Sequence, residues 1–198
     1  MPFERVGAIT LAVGEDYPSS AVIDPAAGFA YFGLATSPGV VVKIDLATFT
    51  RVGAISLAAG EEYLYSEVID TVAGFAYFGT GTIPGKVVKV NLAPFVRVEE
   101  ISLSAGENNL DCAVIDTAAG FAYFGTNIWP CIVVKVNLAL FVRVEEISLS
   151  AGENMTDCAV IDTAAGFAYF GANVAPGIVV KMNIGVVRVD HLPLIGVH

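Results

Sequence analysis

The chain has 198 residues, is 55% hydrophobic, and sets twenty acidic against ten basic side chains for a formal charge of −10. That balance disfavours nucleic acid as a partner, because phosphate binding needs a basic stripe and the sequence has none. No transmembrane segment is expected either: Gly, Pro, Asp, Asn or Lys interrupts every apolar run before the ~18 residues a spanning helix needs.

A mean hydropathy of +0.69 then points to strands buried on both faces. Met1-Pro2-Phe3-Glu4-Arg5 shows no charged-then-apolar leader, so the expectation is a cytoplasmic chain or a piece of a longer product. The three cysteines, Cys112, Cys131 and Cys158, are expected as free thiols, since equivalent positions of neighbouring repeats lie beyond bridging distance.

The first strand-like run, Arg5–Ala12, returns almost unchanged at Arg51–Ala58, and the chain goes on repeating. Phe3, Phe49, Phe95 and Phe141 stand 46 residues apart with no insertion. This predicts one repeat domain over 1–198, with copies at 3–48, 49–94, 95–140 and 141–186 and a partial outer strand at 187–198. The most constant block reads DPAAGFAYFG, DTVAGFAYFG and twice DTAAGFAYFG. A period in the range of roughly 20–50 residues marks a solenoid, propeller or array, whose units cannot bury their apolar faces alone.

In the second copy the predicted strands are Arg51–Ala58, Ser66–Asp70, Phe75–Gly79 and Lys86–Leu92, each rich in Val, Ile, Phe or Tyr and bounded by turn residues. No segment has helical period. Four short strands in 46 residues make one blade, so the fold class is all-β: a β-propeller of four four-stranded blade repeats. Asp24, Asp70, Asp116 and Asp162 read as hairpin-turn residues, their carboxylates accepting local N–H groups while a following glycine such as Gly28 takes a left-handed conformation.

Val41–Thr48 (VVKIDLAT), the next outer strand, an inner strand ending in Asp, a Gly turn and AYFG together resemble the YVTN family of β-propeller repeats along essentially the whole chain. Tyr77-Phe78-Gly79-Thr80 and Tyr123-Phe124-Gly125-Thr126 stand where that family has Tyr-Val-Thr-Asn. The resemblance implies a propeller, with cell-surface or extracellular location among its settings, and transfers little about role. Arg5–Ala12 and Val187–Leu194 give one outer strand too many. The expectations are a compact four-bladed ring, a homo-oligomer exchanging terminal strands, or a fragment.

The non-repeating residues fall in two loops that open on the same propeller face. The first reads GEDYPSS, GEEYLYS, GENNLDC and GENMTDC; the second reads LATSPG, TGTIPG, TNIWPC and ANVAPG. Loops free to diverge on a fixed scaffold are where binding specificity can be written. The first loops hold Glu15, Glu61, Glu107, Glu153, Asp111 and Asp157 and no basic residue, which predicts an acidic face. Recurring Glu15, Glu61, Glu107 and Glu153 suit a hard cation such as Ca²⁺, a basic protein, or solvation alone. Trp129, Tyr17 and Tyr63 add aromatic groups that could stack on a ligand or anchor a partner. Lys43, Lys89, Lys135 and Lys181 read as inter-blade pairing or a snorkelling row.

Enzymatic chemistry has little support: the only histidines, His191 and His198, lie at the unmatched end, and no phosphate loop meets a helix. The leading expectation is a non-catalytic propeller scaffold that binds a protein or small ligand on its acidic, loop-rich face. The alternatives are a lyase- or hydrolase-type propeller enzyme with a carboxylate-bound divalent cation at the channel mouth, and a structural array or fragment without its own ligand.

Overall fold

The computed structural model describes residues 3–185, and among the described residues there are fifteen strands and no helix. Blade 1 comprises β1 (Pro18–Asp24), β2 (Phe29–Leu34), β3 (Val40–Asp45) and β4 (Thr50–Ser56). Blade 2 comprises β5 (Leu64–Asp70), β6 (Phe75–Thr80), β7 (Lys86–Leu92) and β8 (Phe95–Ser102). Blade 3 comprises β9 (Leu110–Asp116), β10 (Phe121–Thr126), β11 (Ile132–Asn137) and β12 (Val142–Ser148). Blade 4 has β13 (Thr156–Asp162), β14 (Phe167–Ala172) and β15 (Ile178–Asn183). Each is an antiparallel sheet in chain order, and in blades 1, 2 and 3 the last strand is supplied by the start of the next sequence copy.

The turns form for local reasons. Asp24, Asp70, Asp116 and Asp162 each accept the N–H three residues on, at 2.9 Å. The glycine that ends each turn has φ between +76° and +80°, a conformation that only glycine adopts without strain. Between two such hairpins, residues alternate sides, and in blades 2 and 3 both sides are covered, because blades pack face to face.

Each blade thus presents two different apolar faces. Tyr31 and Val41 of blade 1, with Leu57, bury Ala76, Phe78 and Val88 of blade 2. The same arrangement joins blade 2 to blade 3 through Tyr77, Val87 and Phe124, and blade 3 to blade 4 through Tyr123, Val133 and Phe170. Phe78, Phe124 and Phe170 are fully buried, each contributing about 1.5–3 kcal/mol on burial area alone. Beside them the backbone comes close: a Cβ on Gly79 would lie 2.8 Å from Leu110 Cβ of blade 3. That proximity accounts for Gly in Tyr-Phe-Gly.

The inner strands pack in sequence, β1 on β5, β5 on β9 and β9 on β13. No comparable packing joins β1 to β13 among the described residues, so the four blades form an open arc rather than the compact ring expected as one possibility. Arg5–Ala12 forms no strand. Ile9 and Leu11 rest on the outward face of blade 1 against Ala30, Val42 and Ile44, but no described strand hydrogen-bonds to this segment as β3 does to β4. The predicted strand Val187–Leu194 and both histidines lie outside the described residues.

Candidate functional site

The two variable loops do meet along one edge of the arc. Tyr17, Tyr63, Asn109 and Met155 occupy equivalent positions with φ between +49° and +56°. The carbonyl of each accepts an N–H from the second loop of its own blade (Ala35, Gly81, Asn127, Asn173). The amides of Tyr63, Asn109 and Met155 donate to Thr36, Thr82 and Ile128 in the second loop of the preceding blade. These bonds run from blade to blade and make the loops one continuous rim.

Inner strands reach that rim with a β-bulge at the same place in every blade. Pro18 and Ser20 pair with Leu34 and Gly33, leaving Ser19 as the extra residue. By the same shift Tyr65, Asp111 and Asp157 are extra in blades 2, 3 and 4. A bulge kinks the strand and redirects one side chain, so Ser19, Tyr65, Asp111 and Asp157 form an inner row along the arc. What faces them differs by blade. Asp111 and Asp157 accept hydrogen bonds from Asn127 and Asn173 Nδ2, the second at 2.6 Å. Tyr65 instead lies over Gly81, where an added Cβ would be 2.4 Å from its ring, and stacks on Tyr63 at a centroid distance of 6.2 Å. Asp111 Oδ1 is buried with no hydrogen-bond partner. Burial raises the Asp111 carboxyl above its ordinary value, Asn127 opposes that, and the nearby Asp157 charge adds to it.

Of the predicted site residues, Asp111 and Asp157 lie near enough for their charges to interact, and Tyr63 stacks on Tyr65, which was not among them. Trp129 projects from its loop at 72% exposure, and among the described residues no aromatic pair joins it to Tyr17 or Tyr63. Tyr17 is exposed as well.

The repeated glutamates do not converge as a ring of free or solvated carboxylates. Glu15, Glu61 and Glu107 are each gripped by an arginine 36 residues later, Arg51, Arg97 and Arg143. The arginine Nε contacts both carboxylate oxygens at 2.7–3.0 Å. One oxygen of each also accepts the N–H of Ala12, Ala58 or Ser104 at 2.8–3.0 Å. Glu153 accepts the Ser150 N–H, and Arg188, the residue matching Arg143, lies outside the described residues. For Glu15 the Arg51 hydrogen bond holds the carboxyl below its ordinary value despite some burial. For Glu107 burial opposes ionisation, and Arg143 with Ser104 outweighs it. Both oxygens already face a guanidinium, which leaves no cation-binding geometry there, and no three His, Cys, Asp or Glu side chains among the described residues could hold a metal. The acids and their arginines are far apart in sequence; the constant 36-residue spacing was the available signal.

The lysines are inter-blade groups in part. Lys43 lies over the Phe29 ring at 3.7 Å and donates to Leu92 O of blade 2 at 3.4 Å. Lys89 and Lys135 pair with Glu99 and Glu145 on the adjacent outer strand at 3.5 and 2.9 Å. Glu67, which stands where the other copies have alanine, is a group the repeat pattern concealed. Its Oε2 is buried without a partner, and burial pushes its carboxyl up to about 8 against the Ser20 hydroxyl and the Gly33 backbone.

No family model matches the chain, and no curated protein does. Solved structures match its fold. One described as the crystal structure of RRP9 WD40 repeats and one described as the structure of U3-55K each superpose with a TM-score of 0.61 at 8% identity. They cover 83% of this chain and 50% and 51% of their own. The chain therefore spans about half the length of the solved structures it matches. At that identity the likeness concerns fold alone, and it narrows the YVTN resemblance to its coarser content: consecutive antiparallel blades that repeat as in a β-propeller.

Proposed function

We propose that this chain is a non-catalytic β-propeller scaffold that binds a protein partner on the rim built from its two variable loops. The observation that carries this reading is the bulge row, in which one equivalent position is serine, tyrosine or aspartate by blade while the strands around it stay constant. Tyr65 and Tyr63 offer aromatic area, Trp129 an exposed anchor, and Asp111 with Asp157 acceptors for a basic side chain; the buried, unpartnered Asp111 Oδ1 supplies an acceptor that a bound donor would satisfy. The WD40-repeat description of a fold neighbour supports a scaffold of this class, and within it the VVKIDLAT and AYFG segments favour the YVTN type.

Selection of peptides from a random displayed library on the immobilised chain tests the proposal. Enriched peptides should carry Lys or Arg beside an apolar residue. They should lose at least tenfold in affinity to Trp129→Ala and to Asp111→Asn/Asp157→Asn, and none to Val72→Ser on the opposite edge. No enrichment, or equal binding to all variants, would overturn it.

A further inference from the structure

The first two junctions between blades share one repeated contact, and at each end of the arc half of that contact is present without the other. Tyr31 of blade 1 meets Phe95 at a centroid distance of 5.6 Å, and Tyr77 of blade 2 meets Phe141 at 5.8 Å. Lys43 and Lys89 lie 5.5 and 5.1 Å from the same two rings. In blade 4 the equivalent groups are Tyr169 and Lys181, with no such phenylalanine after them among the described residues. At the other end, Phe49 is the equivalent of Phe95 and Phe141, with no preceding blade to supply the tyrosine. Phe49 is 49% exposed where Phe141 is 6% exposed.

Exposure of the surrounding apolar residues follows the same rule. Val160 and Val179 of blade 4 are 66% and 73% exposed, whereas Val114 and Val133, the same positions in blade 3, are 6% and 2%. On blade 1, Ile9, Leu11, Phe32, Ile44 and Phe49 line an open apolar cleft of about 210 Å³.

Residues 4–10, ERVGAIT, nearly duplicate β4, TRVGAIS, and they already stand toward blade 1 as β4 stands toward blade 2. A Cβ on Gly7 would meet the Phe49 ring as one on Gly53 would meet the Phe95 ring. Glu15 binds Arg51 as Glu61 binds Arg97. What residues 4–10 lack is the strand that β3 provides for β4. What β15 lacks, among the described residues, is a fourth strand.

We propose that two copies of this chain close head to tail into one ring of eight blades. The bare face of blade 4 in each docks on the open face of blade 1 in the other, and residues 4–10 of each add to β15 of the other as its outer strand. The interface is the inter-blade packing already present three times in the chain, with Tyr169 and Lys181 against the partner's Phe49. The two surfaces differ, so the contact is heterologous, and a half-ring repeated by a two-fold axis closes. Pairing residues 4–10 also covers both free strand edges. The register of β3 with β4, in which Val42 faces Ala54, places Val180 opposite the partner's Ala8.

Light scattering of the intact chain should give twice its 20.7 kDa mass. Phe49→Asp and Val179→Asp should each reduce this to a single chain with unchanged far-UV circular dichroism, since both side chains are exposed in the isolated chain. In a Cys158→Ser background, Ala8→Cys and Val180→Cys chains prepared separately should cross-link on oxidation only when mixed. The double variant should run as a covalent dimer. A monomeric intact chain, a double variant cross-linked within one chain, a ladder beyond the dimer, or no cross-link would each overturn the proposal.

Discussion

The Glu61 carboxylate and the Arg97 guanidinium tie the connection leaving blade 1 to the outer strand of blade 2. Arg97 Nε lies 2.8 and 3.0 Å from the two Glu61 oxygens. The Glu61 side chain is 1% exposed and that of Arg97 28%. Removing one member of such a pair leaves the other's charge short of partners. Glu61→Ala should therefore cost about 2–4 kcal/mol, below the top of the range for wholly buried pairs because Arg97 can regain water. Glu15→Ala should cost less, since Arg51 is the most exposed of the three arginines. Urea denaturation of both variants checks the order; equal losses would contradict it.

The acid side of the stability profile should depend on the same latches. Glu107 titrates below its ordinary value in the folded chain, so its stabilising share is present above the unfolded value of about 4.5 and fades as pH falls through the lower folded value. Glu107→Gln should accordingly lose less melting temperature between pH 5 and pH 3 than the parent does. Parallel profiles would remove Glu107 as a source of acid sensitivity.

Glu67 should work in the opposite direction. Its carboxyl is raised to about 8, so the folded chain keeps a proton that the unfolded chain releases from about pH 4.5 upward. The resulting penalty is absent below that value and grows until about pH 8. Glu67→Ala, which restores the residue of the other three copies, and Glu67→Gln should both raise the melting temperature more at pH 8.5 than at pH 5. The same gain at both pH values would show that packing, and not ionisation, is responsible.

Millimolar CaCl₂ should leave the melting temperature where NaCl of equal ionic strength leaves it. A cation that bound only the folded chain would raise it, but the Glu15, Glu61 and Glu107 oxygens already face arginine. A calcium-specific rise of several degrees, abolished by Glu107→Gln, would reinstate a cation site.

Gly79 and Gly171 occupy the same place in their blades but differ in what lies beyond. A Cβ on Gly79 would approach Ser66 Oγ, Leu110 Cβ and the Phe124 ring at 2.3, 2.8 and 3.2 Å, whereas on Gly171 its near neighbour is Cys158 Sγ at 2.6 Å. Gly79→Ala should cost about 1–3 kcal/mol as an overpacked core. In a chain kept single by Val179→Asp, Gly171→Ala should cost clearly less, because no blade follows it there. Matched denaturation curves decide this, and equal costs would mean that contacts within the blade dominate.

The amino-acid order was sufficient for what depends on neighbours close in sequence. The 46-residue period, the strand runs, and Asp24, Asp70, Asp116 and Asp162 as turn residues all follow from local side-chain chemistry and backbone conformation. The candidate face was readable to the extent that both variable loops belong to one edge, and Asp111, Asp157 and Trp129 were visible as its departures from the repeat. Tertiary structure decided the rest. Glu61 and Arg97 meet only because the outer strand of one blade lies beside the connection from the preceding one, so three members of an apparent ring of acids became arginine-held latches, two of them between blades. The bulges that set Tyr65, Asp111 and Asp157 in one row come from strand register, which composition does not encode. Val160 and Val114 sit in equivalent segments, and one is bare while the other is buried because burial here belongs to the junction between blades, and the arc has an end.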